Sequence, residues 1–353
     1  MQFSILGMEL VGPSKRKVAS VVDGIFFALG QVFLGVMAYF FRNYQYLQLV
    51  ISLPSVMFLS YWWLFITQQV FRLVPESARW LISLKRFEEA DVILQRAAKI
   101  NGKKLPEAWW EQIESLDDSK STAKDQMHKR YNILDLFRTR QIRIRTLACL
   151  FIWPVVSMIY YGVSMKTDFL GGDFYFTFII GGLSEIPALL LVYLILDRVG
   201  RKIVLSAGYF IAAFCILTNL IIPSSAHWSI NIVQFLLAKA AITSSYAVIY
   251  TITPELFPTV IRNIAMGCCS MIARIGAISA SYISMWIVEY IGKWAMIIPF
   301  GSFALAAGFV VLFFIPETMG KPLPETINDI ERKQSIDAEA MIMTVNLERE
   351  QEH

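Results

Sequence analysis

The chain alternates long apolar runs with short polar turns. The run at residues 174–196 is about 23 residues long, enough to cross the roughly 30 Å hydrocarbon core of a bilayer. One acid, Glu185, sits near its midpoint, where a carboxylate is costly unless it is paired or protonated. Such a residue faces a bundle interior or a water-filled cavity. The run ends at Asp197-Arg198-Val199-Gly200-Arg201-Lys202 and the next apolar run starts at once, so this stretch reads as a tight turn between two membrane helices. The same criterion applied along the chain predicts eight spans, at residues 18–41, 46–66, 146–165, 174–196, 203–222, 229–253, 264–289 and 294–315. Residues 1–10 are too short to cross and read as the end of a helix. Asp23, Gln31 and three glycines fall in the first complete span. Residues 229–253 are the least apolar, since they carry Lys239 and several hydroxyls.

Between the second and third spans lies a long polar segment. Within it, residues 86–100 repeat apolar positions at helical spacing, and Gly102 follows as a stop signal. Residues 105–116 form a second short amphipathic pattern, with Trp109 and Trp110 suited to a membrane surface. Loop charge sets the orientation. The basic turn at 12–17, the 72–145 segment, the turn at 197–202, the turn holding Arg262 and the tail after Pro316 fall on one side. The loops on the other side hold only Arg42, Lys166 and Lys293. The richly basic side is cytoplasmic by the positive-inside rule. The tail from Lys321 is polar and is expected to be disordered at its end.

Composition agrees with this pattern. Of the 353 residues 56% are hydrophobic and only 17% charged, against about a quarter charged in soluble chains, so the apolar surface must be buried in lipid. Net charge is +4, and half of the 32 Lys and Arg lie between Arg72 and Arg145. Those charges are mixed in sign, which excludes a nucleic-acid patch. The four cysteines, Cys149, Cys215, Cys268 and Cys269, all fall in apolar runs and read as small buried residues, not a disulfide framework. The three histidines, His128, His227 and His353, are scattered, and no metal or nucleophile constellation supports an enzyme or a cofactor. No Asn-x-Ser/Thr site and no signal peptide are present in the sequence.

Four short motifs then occur in a fixed order. They are Pro75-Glu76-Ser77-Ala78-Arg79-Trp80-Leu81 after a span, the 197–202 turn, Pro254-Glu255-Leu256-Phe257-Pro258-Thr259 with Arg262, and Pro316-Glu317-Thr318-Met319-Gly320 with Leu323-Pro324-Glu325-Thr326. Together with the long loop, they resemble the organic cation and carnitine transporter family of the major facilitator superfamily over nearly the whole chain. The resemblance implies an all-α membrane bundle of twelve helices, of which about eight complete ones are present, starting from the end of the fourth. It implies a division into residues 1–71 (end of helix four, helices five and six), a cytoplasmic loop at 72–145, a six-helix carboxy-terminal half at 146–316 and a cytoplasmic tail at 317–353. Against the family pattern, about eight residues within Phe65–Leu73 read as an insertion.

The resemblance also implies plasma-membrane transport of a small organic cation or zwitterion by alternating access, with sodium or protons as candidate coupling ions. Glu185, in Glu185-Ile186-Pro187-Ala188, matches a cavity carboxylate that would meet an ammonium group. Alone, it could equally be a protonated carboxyl bonded to a neighbouring helix. Arg274 lies mid-span and matches a position where members for anions and carnitine carry arginine. Glu185 and Arg274 together would suit a zwitterion, or they could simply neutralise each other. Lys239 is either a cavity or coupling charge or a snorkelling lysine. Tyr160 would offer a ring face to a quaternary ammonium, Trp153 less directly, and either can equally be packing. Asp23 is expected to meet the basic turn before it. Glu76, Arg79, Asp197, Arg198, Arg201, Glu255, Arg262 and Glu317 would form cytoplasmic gate pairs in one state only, beside their plain role in topology. Two alternatives stand beside this reading: a sugar porter of the same superfamily, and a truncated fragment that does not transport.

Overall fold

A segment surrounded by lipid must satisfy its own backbone hydrogen bonds, so an apolar chain of this kind folds as helices. The computed structural model describes residues 16–59, 78–83, 86–106, 108–111, 132–165, 173–222 and 228–320, together with Pro324, Ile327 and Ile330. The described residues contain helices and turns and no strand. Seven of their helices are long and apolar enough to cross a membrane, which makes this a multi-pass membrane protein. The elements are α1 (Arg16–Phe40), α2 (Tyr44–Ser52) followed by a 3-10 stretch (Leu53–Leu59), α3 (Ala78–Ser83), α4 (Phe87–Ile100), a 3-10 turn (Ile133–Phe137), α5 (Arg140–Met165), α6 (Phe174–Val199), α7 (Arg201–Thr218), α8 (Trp228–Leu256), α9 (Thr259–Tyr282), a π segment (Ile283–Ile287) running into α10 (Val288–Ile291), and α11 (Trp294–Phe314). The span expected at 46–66 is described only to Leu59, as α2 and its 3-10 continuation. Its remainder, and the stretch around residues 65–73, lie outside the described residues.

The chain divides into two units. The smaller comprises Met1–Ala19 and Met37–Arg130, the larger Ser20–Val36 and Tyr131–His353. In the smaller unit α4 has Glu88 and Glu89 in its first turn and Lys99 in its last, which complements the helix dipole. Arg86 forks onto Glu89 through Nε at 2.8 Å and Nη2 at 2.7 Å. Trp109 is tied to this helix, its Nε1 donating to Asp91 Oδ1 at 2.9 Å and its ring meeting Phe87 at 6.4 Å. Phe87, Asp91 and Trp109 therefore dock the second amphipathic pattern onto the first.

In the larger unit the spans observed differ from those expected at their ends, for identifiable reasons. Helix α5 begins at Arg140 instead of residue 146, because Arg145 Nη1 is anchored on the carbonyl of Leu256 at 2.9 Å and the earlier turns remain helical outside the apolar zone. Helix α7 stops at Thr218 instead of 222. There Gln234 of α8 donates to the Cys215 carbonyl and, at 2.8 Å, to Thr218 Oγ1, satisfying a helix end that lipid could not.

The bundle is held by close packing, since lipid gives no hydrophobic drive for helices to associate. Gly276 of α9 lies against the Pro154 carbonyl of α5, and a Cβ there would sit 2.1 Å from that oxygen. Trp153, Tyr209, Phe257 and Phe300 are fully buried. The polar ends of the first two are satisfied by Thr253 Oγ1 at 3.1 Å and the Ile152 carbonyl at 2.8 Å. Residues of α1 pack antiparallel on α6 through glycines: Gly24 faces Leu189, Gly182 faces Val32, and Gly35 faces Ile179. This register puts Gln31 beside the helix turn that carries Glu185.

Candidate functional site

Three spans converge on one buried cluster. Glu185 of α6 is 2% exposed and Lys239 of α8 is 0% exposed, with Lys239 Nζ 2.9 Å from Glu185 Oε1. Tyr160 of α5 directs its hydroxyl at the same carboxylate, 3.0 Å from Oε1 and 3.1 Å from Oε2. The Gln31 carboxamide is 3.3 Å from that hydroxyl. A tyrosine has one proton to give, and the charged acceptor at shorter range takes it, because charge-assisted bonds are roughly twice as strong as neutral ones.

Lys239 is fully coordinated. Besides Glu185, its ammonium bonds to Ser164 Oγ, which itself donates to the Tyr160 carbonyl at 2.6 Å. Its Nζ also lies 3.9 Å from the Tyr160 ring centroid, close enough for cation–π attraction. A carboxylate, a hydroxyl and an aromatic face thus surround one positive nitrogen. Lys239 does not snorkel, because its ammonium is held in the interior by Glu185 and its side chain is buried.

An aromatic series continues from this centre. Tyr160 stands 5.3 Å from Tyr246 and 5.5 Å from Tyr161, Tyr246 stands 5.6 Å from Tyr250, and Tyr250 stands 4.8 Å from Trp153. The contribution of Tyr246 was not foreseen from the sequence, although its spacing of two helical turns from Lys239 puts both on one face. Ser164 was also missed, and it is one turn from Tyr160.

Arg274 is exposed on α9, among the exposed apolar side chains of Met271, Ile275 and Ile278. It is not the partner of Glu185, whose ion pair is made by Lys239, so mutual neutralisation of Glu185 and Arg274 does not occur in this conformation. Tyr250 lies within electrostatic range of both Arg274 and Asp23. The basic turn that Asp23 was expected to meet falls outside the described residues, apart from the backbone of Arg16 and Lys17.

The motif residues of the 197–202 turn, the 254–262 stretch and the 316–320 segment gather at the other end of the same unit. Arg201 lies 3.4 Å from Asp197 and 3.5 Å from Glu255, and Thr318 Oγ1 donates to Glu255 at 2.6 Å. Glu317 was expected to pair with a basic side chain. Instead its carboxylate accepts backbone N–H groups of Arg201 and Lys202 at 3.0 Å and of Thr318 and Met319 at 2.9 Å. The first two are unpaired donors at the start of α7, a natural anion site. Burial alone would raise the Glu317 carboxyl, but these N–H bonds outweigh it and hold the group below its ordinary value. Gly200 makes the approach feasible. It adopts φ +103°, and a Cβ there would stand 2.6 Å from Glu317 Oε2. Arg262 caps the end of α8 through the carbonyls of Pro254 at 2.7 Å and Phe257 at 3.3 Å. Arg198 is exposed beside this network. Glu76 and the Arg79 side chain lie outside the described residues.

A separate cavity lies among α5, α7, α8 and α11, walled by Val163, Ile216, Phe235 and Met296 with Asn219 and Asn231 at its edge. Among the described residues its lining includes no charged side chain.

Comparison with known proteins agrees with this arrangement. The family described as sugar (and other) transporter matches residues 4–329. An organic cation transporter protein of Drosophila melanogaster is 37% identical over 93% of this chain and 58% of its own length. The human organic cation/carnitine transporter 2 is 33% identical over 93% of this chain and 56% of its own. The chain therefore spans somewhat over half the length of these relatives. In structure it is similar to the proton:xylose symporter XylE, with a TM-score of 0.65 at 19% identity, covering 91% of this chain and 68% of that one. That likeness speaks for the fold. The chain belongs to the sugar (and other) transporter family of the major facilitator superfamily, and within it resembles the organic cation and carnitine transporters.

Proposed function

We propose that this protein takes part in carrying small organic cations or carnitine-like zwitterions across the plasma membrane by alternating access. The observation that supports this most is the coordination around Lys239 Nζ: Glu185, Ser164 and the Tyr160 ring make a site for a positive nitrogen inside a membrane bundle. A sugar site would need neutral hydrogen-bonding groups in place of a desolvated charge pair. Glu185 and Tyr160 would hold the substrate ammonium. Arg274, a permanent cation on a span, would hold the carboxylate of a zwitterion. Substrates of transporters built from two helical halves bind near the midplane, and the halves rock about them. In that scheme residues 146–316 form the carboxy-terminal half, residues 1–71 belong to the other half, 72–145 is the cytoplasmic loop and 317–353 the tail. The cluster of Asp197, Arg201, Glu255, Arg262 and Glu317 would act as the inner latch, joined by Arg198, Glu76 and Arg79 when the gate closes.

The test is uptake of labelled tetraethylammonium, carnitine and xylose by cells expressing the protein, normalised to surface abundance. Uptake of the first two, lost in Glu185→Gln, is the expected result. Uptake of xylose alone, or of none of the three at normal surface abundance, overturns the proposal.

A further inference from the structure

The positive-nitrogen site is already occupied by the chain itself. The Lys239 ammonium takes Glu185, Ser164 and the face of Tyr160, and those are the groups an organic cation would need. A second cation cannot share the carboxylate at little cost, since two like charges in a water-poor interior repel strongly. We infer that Lys239 is a resident counter-cation which a substrate ammonium displaces from Glu185, and that it gives up its proton to solvent when the substrate brings no carboxylate of its own. This rests on the cation-site reading above and adds the coupling to it.

The exchange balances. Before binding, the Lys239 ammonium faces the Glu185 carboxylate and the organic cation is in solution. Afterwards the organic cation faces the carboxylate, Lys239 is a neutral amine, and one proton is in solution. Once Glu185 is taken, burial penalises a lone ammonium on Lys239, and lysine, unlike arginine, can discharge. Ser164 can then turn its hydroxyl to the amine nitrogen. The other groups facing this point are Tyr160 and Tyr161 from α5, Tyr246 and Tyr250 from α8, with Asp23 of α1 and Arg274 of α9 farther along. Glu185 is the one acid bonded to Lys239 among the described residues. A zwitterion behaves differently, because its carboxylate, bridging Arg274 and Lys239, takes over from Glu185 as the partner of Lys239 and the proton stays.

Two binding measurements on the purified protein test this. In weakly buffered solution with a pH indicator, tetraethylammonium should release about one proton per cation bound, and carnitine almost none. Correspondingly, the tetraethylammonium Kd should fall about tenfold per unit rise in pH while the proton competes, by the reciprocity of linked binding. Lys239→Arg keeps the charge and the pair but cannot discharge, so it should bind tetraethylammonium at least tenfold more weakly and release no proton. Lys239→Gln, which removes the resident cation, should bind it at least tenfold more tightly. Cation binding by the unaltered protein with no proton release overturns the inference and leaves the cation site standing. So does a Lys239→Arg variant that binds as well as the original. Absence of any tetraethylammonium binding overturns both the site and the inference.

Discussion

The two charged clusters of the larger unit solve the same problem by different means. At the centre, the side chains of Glu185 and Lys239 are 2% and 1% exposed and answer each other directly. At the rim, Glu317 is met by backbone N–H groups, and Arg201 shares Asp197 and Glu255 at longer range, with Asp197 42% exposed on its side chain. The difference follows from solvent. In the dry interior a lone charge costs several kcal/mol, so only an opposite full charge suffices. Near water, partial charges of backbone dipoles suffice and the pairs can be looser. A tight, isolated pair suits a site that must be opened by a ligand of matching charge. A loose, shared network suits a latch that reforms on each cycle.

The strongest way to break this contrast is to remove one member of the central pair. Glu185→Leu or Lys239→Met alone should each destabilise by about 3–5 kcal/mol, since a buried charge loses its partner. The double substitution should restore the melting temperature and the surface abundance while cation uptake stays lost. If the singles melt like the unaltered protein, the pair is not dry. Tetraethylammonium should raise the melting temperature of Lys239→Gln more than that of the unaltered protein, because it supplies the missing cation.

Selectivity comes next in size. Arg274→Ala should weaken carnitine about ten- to a hundredfold, the loss of one charge-assisted bond of about 1.5–3 kcal/mol, and leave tetraethylammonium nearly unchanged. Equal losses for both compounds would remove Arg274 from the substrate site.

The rim should respond more gently. Gly200→Ala places a Cβ on Glu317 and demands a left-handed backbone, which costs about 1–2 kcal/mol. Faster amide exchange at Arg201 and Lys202, with no change in substrate affinity, is the expected outcome. Acidification has the smallest effect. The Glu317 carboxyl is held below its ordinary value, so its contribution is fully present above the unfolded carboxylate value of about 4.3 and is lost as pH falls through its lower folded value. Amide protection at Arg201 should be flat at neutral pH and decline only below that range.

Particular residues mark how far the sequence could be followed. Hydropathy predicted eight spans, and seven helices among the described residues are long and apolar enough to cross a membrane; the acid of the 174–196 run was marked as a charge in need of a partner, which Lys239 supplies. The ordered motifs pointed to the family. Helix ends were less legible: Thr218 ends α7 because Gln234, sixteen residues on, reaches back to it, and a local pattern does not contain that contact. Glu317 was read as half of a side-chain pair, since nothing in the Pro316-Glu317-Thr318 sequence says that the start of α7 lies within reach.

By itself, then, the sequence determined which stretches could cross a membrane and the presence of charges that lipid does not tolerate unpaired. Only tertiary structure decided the pairing. Lys239 and Arg274 are both cations on apolar spans, and a span that is apolar on every side carries no periodic signal of which face turns inward. Packing of α5, α6 and α8 turned Lys239 onto Glu185 and the Tyr160 ring, while Arg274 was left on the exposed face of α9. Hydropathy is a property of composition along a line, whereas the partner of a buried charge is set by which helices touch and at what rotation.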